Sequence, residues 1–270
     1  MSSETVQQER REPSISSIGQ VWAVYKRELG VYFRSPVAYA VAFALLLLFG
    51  LIFTSNVSQL NQRAPADNLN FIPSLLTFLM FLVGPLLTMR LLAEENREGT
   101  LEVLMTLPMG EFTFILGKFL AVWTYYTVVL ALTLVYYLVL NSIGVPDHGR
   151  AVGVYLGAWL YGGAILAITM VWSAVTEDQI VAAFLGAATV LILYLADLAA
   201  QFVSTMSFSE NPELTTNLGN AVRELGLTAH YNSTMFVGVI RAEDILYFVF
   251  LIIAALFITT RIVETRRWRA

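Results

Sequence analysis

Six apolar runs limit what this chain can become. Residues 37–53, 71–92, 119–140, 154–174, 180–200 and 245–262 each come close to the roughly 20 residues that a helix needs to cross a bilayer. Inside hydrocarbon every backbone N–H and C=O must be satisfied by the chain itself, so runs of this kind become helices. The polar pieces between them leave no room for a soluble domain of ordinary size. The expected fold is an all-α integral membrane protein, with one membrane domain over residues 18–270. Residues 1–17, MSSETVQQERREPSISS, are polar throughout. Without an apolar core they cannot be a cleavable signal peptide, and they read as a disordered tail.

Six spans place both ends of the chain on one side, and charge counting says which. Twelve Lys and Arg fall in the N-terminal region, the segment after span two, the turn after span four and the C-terminal region, or at the edges of spans beside them. Only Arg63, Arg150, Arg223 and Arg241 fall on the other side. Basic residues collect on the cytoplasmic side of a membrane, so both termini and the segment after span two are expected in the cytoplasm, with the chain multi-pass in the inner membrane.

Several function classes are short of the residues they need. The net charge of −4 and the lack of a basic stripe argue against nucleic acid. There is no cysteine for a disulfide, a thiol nucleophile or a thiolate metal site. His148 and His230 lie in outer segments without HExxH spacing, which removes an intramembrane metalloprotease. No GxSxG elbow is present, and Gly117-Lys118 lacks the upstream glycine of a phosphate-binding loop. The chain reads as non-catalytic, with no cofactor and no metal of its own. Asp197, late in the fifth run, is the one ionisable residue well inside a span. A coupled carrier usually holds several, so Asp197 reads as an interfacial or outer-gate residue.

The most informative polar stretch is EENREGTLEVLMTLP at 94–108. As one helix it would stack Glu94, Glu98 and Glu102 on a single face, beside an apolar face of Val103, Leu104 and Leu107, until Pro108 stops it. Carboxylates at four-residue spacing repel by a few tenths of a kcal/mol per pair. Either the positive end of a helix dipole and water offset that repulsion, or a partner protein docks on the acidic face. Upstream, Ile18, Val21, Trp22, Tyr25, Leu29, Tyr32 and Phe33 form the apolar side of an amphipathic helix that should lie along the membrane interface. Pro36 is placed to start the first span. Gly84-Pro85 should kink the second. Gly153/Gly157 and Ala182/Gly186 mark close helix contacts, in the bundle or at a dimer seam. In the outer insert at 201–244, Leu214, Leu218, Val222 and Leu225 repeat at helical spacing ahead of Gly226.

Three stretches resemble the type-2 ABC exporter permeases, and among them the gliding-motility-type permeases: KRELGVYFRSPVAY at 26–39, PLLTMRLLAEENREGTLEVLMTLPM at 85–109 followed by LGKFLA at 116–121, and HYNSTMFVGVIRAEDILYF at 230–248. The resemblance implies an N-terminal interface helix, a cytoplasmic coupling helix, and a half-transporter that pairs with a second permease copy or a homologous permease. Two cytoplasmic ATPase subunits carrying ATP and Mg would bind each transporter, and an extracytoplasmic accessory subunit is left open. Carried onto this sequence, Glu94, Glu98, Gly99, Thr100 and Glu102 form the main docking segment. Thr176, Glu177, Asp178 and Gln179 form a second, supported by Lys26, Arg27 and Glu28. Phe43, Phe81, Pro85, Tyr194 and Asp197 are candidates for a path or gate at the dimer seam, suited to lipid-like, amphipathic or polymeric cargo. Two alternatives stay open: a membrane anchor through which an ATPase does mechanical work without flux, and a facilitator that needs no ATP.

Overall fold

The computed structural model describes residues 17–63, 71–100, 109–143, 146–205 and 212–267, and every regular element among them is helical. In chain order these are α1 (Ser17–Tyr32), α2 (Pro36–Arg63), α3 (Phe71–Thr88), α4 (Arg90–Glu98), α5 (Glu111–Leu132), α6 (Leu134–Ile143), α7 (His148–Val175), α8 (Gln179–Thr205), α9 (Pro212–Glu224), α10 (Leu227–Asn232), a 3-10 turn (Met235–Val237) and α11 (Ala242–Arg267). Six stretches are long and apolar enough to cross a membrane: Pro36–Ser58, Leu75–Glu98, Glu111–Ile143, His148–Val175, Gln179–Ala196 and Ala242–Thr265. Each contains all or most of one of the six apolar runs. Several helices outrun the apolar run, as α5 does by beginning at Glu111, ahead of residue 119. The tail expected over 1–17 lies outside the described residues, except that Ser17 already belongs to α1.

α7 is the most enclosed span, and small residues make that possible. A Cβ on Gly162 would sit 2.3 Å from the Tyr126 ring, and one on Gly157 would sit 2.6 Å from the Tyr231 ring. Both tyrosines instead lie flat in the grooves and donate their hydroxyls to carbonyls of α7: Tyr126 to Ala158 (2.8 Å) and Tyr231 to Val154 (3.1 Å). Tyr161 of α7 donates in turn to Thr77 of α3 (3.2 Å). A buried phenol without an acceptor would be costly, so these bonds fix helix register as well as fill space. Gly153 and Gly157 face Met235 and Tyr231, and Gly186 faces Thr169 and Pro85. Gly153, Gly157 and Gly186 therefore serve contacts inside the chain.

Pro85 stays within α3, and the helix runs on to Thr88. Only Met89 divides it from α4, and its N–H still donates to Pro85 O (2.8 Å), so the two helices form one span. The third span is likewise interrupted at Thr133, whose hydroxyl donates to Leu130 O (2.6 Å). On the α9–α10 side, the insert forms the helix expected before Gly226. Its Leu218 is exposed, so the repeat covers little of the core. There His230 Nδ1 lies 2.9 Å from Asp244 Oδ1, and Thr234 donates to Asp244 Oδ2 (2.7 Å), which pins α10 to the start of α11.

Candidate functional site

The opposite end of the bundle gathers the segments that the sequence marks for docking. α1 packs along α5 and comes close at Gly117, where an added Cβ would meet Val24 at 2.8 Å and Val21 O at 3.1 Å. The face turned inward carries Val24 and Glu28, both buried. Ile18 and Trp22, from the expected apolar face, are 82% and 62% exposed. Tyr32 of the same face stacks on Tyr125 at 5.4 Å, so the stripe is divided between an exposed end at Ile18 and Trp22 and an edge packed on the bundle. The most enclosed residues, Val24 and Glu28, lie just beyond the edge of the stripe, where a carboxylate hid part of the protein contact.

That carboxylate is answered by Lys118 of α5, whose side chain is only 2% exposed. Lys118 Nζ lies 3.2 Å from Glu28 Oε1 and 2.9 Å from Glu95 Oε1, and it donates to Leu91 O at 2.7 Å. Arg27 Nη2 completes the cluster at 2.7 Å from Glu28 Oε1 and 3.2 Å from Glu95 Oε1. Burial works against the charge on Arg27. The hydrogen bond and charge of Glu28, then those of Glu95, outweigh it and hold the guanidinium above its ordinary range. Beside the cluster Arg90 Nε pairs with Glu94 Oε2 at 3.0 Å, one turn along α4. Tyr32 donates to Leu87 O at 2.6 Å and closes the other end of α1 onto α3. Three helices distant in sequence are thus tied by buried charge.

α4 starts without a cap of its own, since Met89 offers no side-chain acceptor. Ser173, near the end of α7, does that work from a distance. Its hydroxyl accepts from Leu92 N (3.0 Å) and Ala93 N (3.1 Å) and donates to Met89 O (3.0 Å). These are the amide groups that a helix start leaves unsatisfied. Asn96 Nδ2 also donates to Ala174 O at 3.5 Å. The turn at 176–179 therefore emerges directly beside α4.

The acidic stretch departs from the single helix expected over it. α4 ends at Glu98, and Gly99 adopts a left-handed conformation with φ +67°. Glu94 and Glu98 share a helix, and that helix ends at Gly99. Glu102, with Val103, Leu104, Leu107 and Pro108, lies outside the described residues. The dipole explanation also reverses. The acids occupy the last turns of α4, where a helix dipole disfavours them, and the offset comes from Arg27, Arg90 and Lys118.

The remaining sequence candidates sort by their surroundings. Glu98, Gly99 and Thr100 are exposed at the end of α4. Lys26 and Glu177 are exposed as well. Glu28 is buried within the cluster, so it holds α1 in place and cannot face a partner. Asp178 is used as the N-cap of α8, its Oδ1 accepting from Ile180 N (2.7 Å) and Val181 N (3.3 Å), while Thr176 Oγ1 accepts from Asp178 N (3.1 Å). Gln179 is the first residue of α8. Of the path candidates, Phe81 and Tyr194 meet through Phe78, with ring centroids 5.3 and 6.1 Å from it. Pro85 is buried against α8 near Gly186. Phe43 is 67% exposed on the outer face of α2 and does not join them. Asp197 belongs to α8, and its side chain lies outside the described residues.

Residues 54–225 match the family described as ABC-2 family transporter protein. This chain belongs to that family. Among curated proteins it is similar to the probable ABC transporter permease protein NosY of Pseudomonas aeruginosa, 36% identical over 106 residues, and to that of Stutzerimonas stutzeri, 32% identical over 105. These alignments cover 37% and 38% of this chain and 38% of each relative. In this ABC-2 family member, the acidic stretch stood out in the sequence, but the groups that position it did not. Glu95, Lys118 and Ser173 hold α4 in place, and sequence reading did not single them out for that. The signal for Lys118 and Glu28 was present as a charge one turn from buried apolar residues: Phe114, Ile115 and Val122 in α5, and Val24 in α1.

Proposed function

We propose that this chain is the membrane-spanning permease subunit of an ATP-driven ABC transporter, with two cytoplasmic ATPase subunits docked on the exposed end of α4 and the turn at 176–179. The carrying observation is mechanical. The Lys118 cluster fastens α4 to α1 and α5, and Ser173 fastens it to α7. A displacement applied at Glu98, Gly99 and Thr100 reaches α3 without an intervening loop and reaches the other three helices through buried polar contacts. A two-state bundle needs such a handle if a partner's ligand is to bias it. The excess of Lys and Arg on this side supports its cytoplasmic placement. ATP and Mg then belong to the ATPase, and this chain supplies no catalytic group.

Within the family, the stretches at 26–39, 85–109 and 230–248 support a gliding-motility-type permease that works as a dimer. Phe81 and Tyr194 are joined through Phe78 between α3 and α8, and an aromatic lining there suits export of a lipid-like, amphipathic or polymeric cargo. Glu102 belongs to the same docking segment, while Lys26 and Arg27 support it from α1.

Co-purification with the ATPase encoded beside this chain, using wild type, Glu98→Lys and Gly99→Trp, tests the docking. Retention by wild type and loss in both folded variants supports it, and equal retention in all three overturns it. ATP-dependent flux in vesicles then separates a permease from an anchor that hydrolyses ATP without flux and from a facilitator that ignores ATP.

A further inference from the structure

Between α1, the first turn of α2 and the α3–α4 segment lies a cavity of about 540 Å³. One side is apolar and belongs to the entry of the first span: Val31 and Val37, both exposed, with Ala38 and Leu86 behind them. The other side is charged and belongs to α1, α4 and α5. Four carboxylates (Glu28, Glu94, Glu95 and Glu98) face three cations (Arg27, Arg90 and Lys118). Each of the three cations already holds a carboxylate. Glu95 Oε1 takes both Lys118 and Arg27, but Glu95 Oε2 is buried with no hydrogen-bond partner among the described residues.

A buried carboxylate oxygen without a donor is an unfavourable arrangement that a ligand can complete. The ligand must bring a donor and positive charge, since the lining already has one carboxylate in excess and an anion alone would be repelled. Its other end must be apolar to cover Val31, Val37 and Leu86. The rim adds a second requirement, because the Arg27 and Arg90 side chains are 48% and 41% exposed and retain N–H groups facing outward. Buried acid below half-exposed guanidinium suits a group that carries an ammonium and a phosphate together. We infer that this cavity binds the headgroup of an amine-bearing phospholipid of the phosphatidylethanolamine type, drawn from the leaflet beside α1. The ammonium goes to Glu95, the phosphate to the arginine rim, and the first part of the acyl chains to the apolar wall. The inference requires only that this end of the bundle lies at a bilayer surface, and it stands apart from the docking of an ATPase.

The test uses the full chain, purified in phosphatidylcholine nanodiscs doped with phosphatidylethanolamine or phosphatidylglycerol of the same chains, with retained lipid counted by native mass spectrometry. Wild type is expected to retain phosphatidylethanolamine severalfold over both others. Glu95→Gln and the exposed Glu98→Gln should cut that preference. Val31→Trp, which fills the cavity from its exposed rim and leaves the ion pairs intact, should abolish it. Free phosphoethanolamine should compete weakly, because it lacks the chains. Equal retention of the three lipids, or an unchanged preference in folded Val31→Trp and Glu98→Gln, would overturn the assignment. Displacement by a simple alkylamine as effective as by the phospholipid would also overturn it, since the arginine rim would then have no part.

Discussion

Lys118 and Glu95 stand 2.9 Å apart, joining α5 to the segment that the sequence marks for docking, and the same ammonium reaches Glu28 at 3.2 Å. Because Lys118 is almost fully enclosed, removing it leaves two carboxylates without their main counter-charge. Lys118→Met should therefore destabilise the protein by about 3–5 kcal/mol, the range for breaking a buried pair by removing one partner. The triple variant with Glu28→Gln and Glu95→Gln should recover much of that loss. Unfolding in detergent measures both. A Lys118→Met variant as stable as wild type would remove the cluster from the account of how α4 is held.

Ser173 supplies a helix cap in trans, and its loss should separate stability from coupling. Ser173→Ala deprives Leu92 N and Ala93 N of their shared acceptor in a buried position. Such groups cost about 1–3 kcal/mol when left unsatisfied. The docking surface at Glu98 and Thr100 is unaltered, so the ATPase should still bind. ATP-dependent flux should fall relative to ATP hydrolysis, because α7 no longer follows α4. Equal losses of binding and flux would place Ser173 in folding alone.

Gly99 can be tested by conformation and by space separately. Its φ of +67° disfavours any residue with a Cβ, yet an added Cβ there would meet nothing within 4 Å. Gly99→Ala should cost about 1–2 kcal/mol from the backbone alone. Gly99→Asn should cost less, since Asn tolerates the left-handed region best after Gly. Thermal unfolding of the two variants gives the order. A ranking with Asn below Ala would mean that the left-handed turn is not what the position requires.

The spans were legible because an apolar run of bilayer length admits one structural answer, and each of the six expected runs falls within or largely overlaps one candidate span. Family membership was legible for a similar reason, through the stretch at 85–109. The arrangement of the site was less so. Periodicity treated 94–108 as one helix because i+4 spacing continues numerically through Gly99, while the left-handed turn there ends it. The start of α4 carried no local sign, since its cap comes from Ser173, some eighty positions away. Part of the buried face of α1 was missed because Glu28 borders the apolar stripe as a charge, and only the position of Lys118 in another helix explains why a carboxylate belongs there.

Gly117 provides the sharpest test of whether α1 transmits anything. It is a point of close approach between α1 and α5, and a Cβ there would stand 2.8 Å from Val24 Cβ and 3.1 Å from Val21 O. The second contact is with backbone, so α1 must move as a body. Gly117→Val should therefore cost about 1–3 kcal/mol as overpacking and lift α1 from the bundle. The shift should loosen the Lys118–Glu28 pair, which lies one turn along α1 from Val24. Cysteines placed at Val24 and Phe114, in a chain that has none of its own, should crosslink less readily in the variant. The spanning helices should remain protected from protease, and ATPase retention should fall with the crosslink. Retention that persists while the crosslink is lost would show that α4 and the turn at 176–179 suffice for docking, and would confine α1 to holding the cavity beside it.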